Sequence, residues 1–109
     1  MYLPDVYDKF RQQYQDISEK YDQLGVACRE AGPLDPKVQD LVKLGIAVGA
    51  NSQGAVRSST RKALASGATA EEIIQTVLLA LTTTGFPNMI ASMAWVREVL
   101  EKEGAASSK

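Results

Sequence analysis

Gly67-Ala68-Thr69-Ala70-Glu71-Glu72-Ile73-Ile74-Gln75-Thr76-Val77-Leu78 is the stretch from which the rest of the chain can be read. Gly67 suits the left-handed backbone that ends a helix. Two residues later, Thr69-Ala70-Glu71-Glu72 is a capping box, in which the Thr69 hydroxyl and the Glu72 carboxylate satisfy each other's backbone amides. Ile73, Ile74, Val77, Leu78 and Leu81 then mark a strongly apolar helix. A helix stop joined directly to a helix start means consecutive helices on short turns, the arrangement of an antiparallel bundle.

The same grammar extends in both directions. Upstream, Ala31-Gly32-Pro33 ends one helix and Asp35-Pro36 begins the next, since Asp caps free amides and Pro is pre-set for the first helical position. From Val38 to Ala50 the apolar residues Val38, Leu41, Val42, Leu44, Ile46 and Val48 are too dense for a surface helix, so this element is expected to be mostly buried. Gly45 and Gly49, four apart, give it a smooth face. Asn51 to Gly54 reads as a tight junction, and Ala55 to Ser66 resumes helical spacing, with the small residues Ser52, Ala55, Ser59 and Ala63 on one face. Downstream, Thr82-Thr83-Thr84-Gly85-Phe86-Pro87 closes the apolar helix, and Pro87 opens a last one carrying Met89, Ile90, Met93, Val96, Val99 and Leu100. The tail from Gly104 to Lys109 is small and polar and is expected to fray.

The first thirty residues follow a different rule. Leu3, Tyr7, Phe10, Tyr14, Ile17, Tyr21, Leu24 and Cys28 are spaced alternately by four and three, one stripe on one amphipathic helix over residues 1–31. Its ordinary reading is a helix docked along a seam on the core or on a partner chain; an aromatic cofactor box is the lesser alternative. Cys28 is expected to be a small buried hydrophobe. No segment alternates at period two, so no strand is expected. The chain reads as an all-α bundle of about five helices in a single domain, 1–109, with its helical core over 34–103.

Composition limits what such a bundle does. Twelve basic and thirteen acidic residues leave a net charge of −1 with no basic tract, which disfavours nucleic acid as a partner. The opening residues lack a basic region followed by an apolar run, and no apolar stretch approaches the roughly 18 residues of a membrane span, so no membrane association and a cytoplasmic location are expected. The one cysteine excludes an intrachain disulfide and a CxxC pair. With no histidine there is no Ser-His or Cys-His nucleophile pair, no imidazole base and no His-ligated metal. No metal site and no cofactor are expected. Because 109 residues cover a core poorly while 45% are apolar, self-association is favoured.

The ordered set Leu34-Asp35-Pro36-Lys37, Arg57-Ser58-Ser59-Thr60-Arg61-Lys62-Ala63-Leu64, Gly67-Ala68-Thr69-Ala70-Glu71-Glu72-Ile73 and the Gly-Phe-Pro-Asn turn at 85–88 resembles the carboxymuconolactone decarboxylase and alkylhydroperoxidase D superfamily over Leu34 to Leu100. The resemblance implies a multihelical, oligomeric fold, often a trimer or hexamer, with an active cleft near subunit contacts. In alkylhydroperoxidase D-like members, one helix supplies a glutamate, and the junction to the next supplies Cys-x-x-Cys followed four residues later by histidine. A helix start lowers the attacking thiol's pKa, the second cysteine resolves the sulfenate, and glutamate and histidine relay the proton. Counted onto this chain, the cysteine positions fall on Ser52 and Ala55, the histidine on Ser59 and the glutamate on Asp40. Thiol peroxidase chemistry at that site is therefore excluded. The decarboxylase branch, also cysteine-free here, places a histidine where this chain has Ser59.

What remains is Asp40 as a candidate catalytic acid or base, expected to face Ser52 and Ser59, with Ser52, Ser59, Arg57 and Arg61 as candidate binding residues for a small anion or polar metabolite. The plainer reading makes Ser52, Ala55 and Ser59 small because two helices cross there, and Asp40 a solvated acid near a helix start. Two functions follow: a divergent enzyme or small-molecule binder centred on Asp40, or a pseudoenzyme that keeps only the oligomeric scaffold.

Overall fold

The computed structural model describes residues 5–104, and all regular structure among them is helical, as the sequence leads one to expect. The helices are α1 (Asp5–Gln13), α2 (Gln15–Arg29), α3 (Pro36–Gly49), α4 (Gln53–Ala65), α5 (Ala70–Leu78) and α6 (Phe86–Lys102), with a 3-10 turn at Leu79–Thr82 between the last two. None of the described helices is long and apolar enough to cross a membrane. The chain divides into two compact units, Met1–Pro33 and Leu34–Lys109. Leu3 at the head of the stripe and the tail beyond Gly104 lie outside the described residues.

In the first unit, the single expected helix is two. Tyr14 leaves helical geometry at φ −125°, ψ 56°, although its amide still donates to the Phe10 carbonyl at 2.9 Å. The bend lets Arg11 reach Asp22 at 2.9 Å, while within α1 the same guanidinium lies 5.6 Å from the centre of the Tyr7 ring one turn earlier. Eleven residues of straight helix would separate that ion pair by about 16 Å, so the break is what permits it. The apolar stripe faces solvent: Tyr7, Phe10, Tyr14, Ile17, Tyr21 and Leu24 are all exposed. Cys28, which closes the stripe, is exposed with it and is not the buried hydrophobe expected.

In the second unit, α3 starts at Asp35, whose carboxylate accepts the Val38 N–H at 3.0 Å, with Pro36 in the first turn. It is less buried than its apolar density predicts. Asp40, Leu44, Ala47 and Val48 point inward, while Val38, Val42 and Ile46 remain exposed. Asn51, at φ 54°, makes the left-handed step out of α3, a conformation Asn tolerates. The chain then returns along α4. Gly67, at φ +96°, ends α4 as expected, its N–H reaching the Leu64 carbonyl at 3.0 Å and that of Ala68 reaching Ala63 at 2.9 Å.

The capping box forms as read: Glu72 N–H donates to the Thr69 hydroxyl at 3.0 Å, and Thr69 N–H to the Glu72 carboxylate at 2.9 Å. The apolar helix it opens ends at Leu78, where the chain tightens into the 3-10 turn before Gly85 and α6. Leu44, Val48, Val56, Ile73, Val77, Val96 and Leu100 meet in the core, where all are essentially inaccessible. Two hydroxyls share this interior. Thr60 donates to the Val56 carbonyl at 2.7 Å, whereas the fully buried Ser92 hydroxyl meets no partner among the described residues.

Ser92 and Glu72 each give an expected outcome. Because the Ser92 hydroxyl is desolvated without a hydrogen bond, Ser92→Ala should be neutral or stabilising by up to about 1 kcal/mol, while Ile73→Ala should cost about 2–5 kcal/mol, both read from urea unfolding. The Glu72 carboxyl is held below its ordinary value near 4.5, first by the Thr69 N–H it accepts and then by Lys37, 3.0 Å away. A depressed carboxylate stabilises above its unfolded value, and that stability is lost as pH falls through the folded one. The melting temperature should therefore drop between about pH 5 and 3, and drop less in Glu72→Gln, which retains the box's hydrogen-bonding shape without the titrating charge.

Candidate functional site

The antiparallel course of α3 and α4 decides which candidate residues meet. Asp40 lies in the second turn of α3, only 4% exposed, and its carboxylate accepts a short hydrogen bond from the Ser66 hydroxyl, the residue just past the end of α4. Ser52 stands at the opposite end of the pair as the exposed N-cap of α4. From Asp40 to the end of α3 the helix rises about 13 Å, so the carboxylate faces the far end of α4 and not Ser52. Ser59, half-buried, lies midway along α4, seven residues short of Ser66 and about 10 Å from it along the axis. The solvated acid of the plainer sequence reading is also corrected, because Asp40 is inside.

The arginines part in the same way. Arg57 pairs with Glu98 of α6 at 2.6 Å, with the guanidinium the more buried partner, and so ties α4 to α6. Arg61 is half-buried one turn further along. The structure thus brings Asp40 to Ser66, Arg57 to Glu98, and leaves Ser52 at the helix junction. The five candidate residues do not surround one point.

What the junction does assemble is a shallow cleft of about 350 Å³, lined by Lys43, Ile46, Ala47, Ala50, Ser52 and Ala55. Lys43 is the functional group that the sequence reading passed over. Its signal was available, because Lys43, Ile46, Ala47 and Ala50 follow the i, i+3, i+4, i+7 spacing of one helix face. An ammonium, a hydroxyl and the first turn of α4 on apolar walls could hold a small anion. No thiol or imidazole is present to carry out redox or proton-relay chemistry there.

Behind the cleft, Asn88 locks the junction. Its side-chain amide donates to the Val48 carbonyl at 2.7 Å and to the Asn51 side chain at 3.2 Å, while its oxygen accepts from the Thr84 hydroxyl. This satisfies a carbonyl at the end of α3 and fixes the left-handed Asn51. The Gly-Phe-Pro-Asn turn therefore has a structural task that its sequence alone did not disclose. Among the described residues no cluster of three Cys, Asp or Glu side chains forms a metal-ligand set.

Compared with known families, residues 15–98 match the carboxymuconolactone decarboxylase family. The match takes in α2 through most of α6, and the chain belongs to that family. It begins one residue after the break at Tyr14, so α2 falls within the matched region, whereas the resemblance read from sequence began at Leu34. No curated protein and no solved structure matches the chain.

The Asp40–Ser66 bond has a measurable consequence. Asp40→Ala removes the acceptor and should destabilise the second unit by about 1 kcal/mol, because a partly buried hydroxyl loses its hydrogen bond and water can only partly replace it. Asp40→Asn retains an acceptor oxygen and should cost less; equal costs in chemical denaturation would show that Ser66 does not depend on that oxygen.

Proposed function

We propose that this member of the carboxymuconolactone decarboxylase family has relinquished catalysis at the helix junction and serves as a homo-oligomeric helical scaffold, a trimer or hexamer. The observation that supports this most is the fate of Asp40, the one ionisable group at the matching catalytic positions. It is buried and engaged by Ser66, at the other end of the helix pair from Ser52 and Ala55. An acid or base must reach its substrate's proton directly or through one water, and neither the junction cleft nor the apolar groove beside α3 is lined by Asp40. Its remaining role is to tie the start of α3 to the end of α4. Self-association is supported by the number of large apolar side chains left exposed on both units.

A second reading is favoured by the junction cleft: a binder of a small anionic metabolite held by Lys43 and Ser52. The two separate experimentally. Thermal shifts with small carboxylates and inorganic phosphate favour the binder if stabilisation appears in the wild type and is lost in Lys43→Met; no shift in either favours the scaffold.

For chemistry the expectation is plain. Hydroperoxide consumption with a dithiol donor should not exceed the uncatalysed rate, and a muconolactone substrate should not be decarboxylated. Peroxide turnover abolished by Cys28→Ser would instead establish a one-cysteine peroxidase built on the exposed thiol of α2.

A further inference from the structure

We draw no further inference here: the strongest candidate, the apolar groove of about 440 Å³ between α3 and the 3-10 turn, is an unpartnered face, and nothing in the structure shows what covers it.

Discussion

The antiparallel pairing of α3 with α4 is the constraint from which the second unit's layout follows. The turn between them is closed by Asn51 in left-handed backbone and held by Asn88 reaching across from α6. Once the two helices run in opposite directions, the start of α3 must lie beside the end of α4, and Asp40 finds Ser66. At the other end, the last turns of α3 lie beside the first turn of α4, and Lys43 shares a cleft with Ser52. The core residues Leu44, Val48 and Val56 are the inner faces of the same pair, onto which α5 and α6 pack through Ile73, Val77 and Val96. Burial of these side chains stabilises the pairing; the polar groups at its two ends fix its register.

That geometry separates what a catalytic relay would need to bring together. A thiol pair, an imidazole and a carboxylate work as a unit only when each is within hydrogen-bond reach of the next. Here the sulfurs and imidazole are absent by composition, and the carboxylate has a structural partner at the far end of the helix pair. Ser52 and Ala55 keep the small side chains that the crossing permits, and Lys43 adds a cation to their cleft. The polar groups at the junction form hydrogen bonds that hold helix ends, with Asn88 as the hub.

The chain also has more apolar surface than its core can use. Val38, Val42 and Ile46 on α3 look outward although their helix is built on an inner face. In the first unit the exposed stripe runs through both helices. A unit of some thirty residues cannot bury such a stripe by itself, and a core of about seventy residues leaves several large side chains on its surface for the same reason. Unused apolar area on a small helical protein is what assembly between copies consumes, the physical basis for the self-association proposed.

The sequence by itself determined the helical class, the capping box at Thr69 and Glu72, the Asp35-Pro36 start, the Gly67 stop and the family, because each is written in residues adjacent along the chain. Local rules of capping and period three to four need no knowledge of what packs where. The break at Tyr14 was not legible, since the four-and-three spacing runs through it undisturbed; only the bend that unites Arg11 with Asp22 reveals it. The outward face of α3 escaped for a related reason, as apolar density reports how much surface a helix offers for burial and not whether the fold has enough partners to cover it. Cys28 followed its stripe into solvent on the same account. At the candidate site, counting residues located the junction correctly but could not say that Asp40 looks away from it, because sequence distance of twelve residues is compatible with either end of a helix pair. Tertiary structure decided that point through antiparallel packing: it placed Asp40 with Ser66 and Lys43 with Ser52, contacts set by which helix ends coincide in space and not by any spacing along the chain.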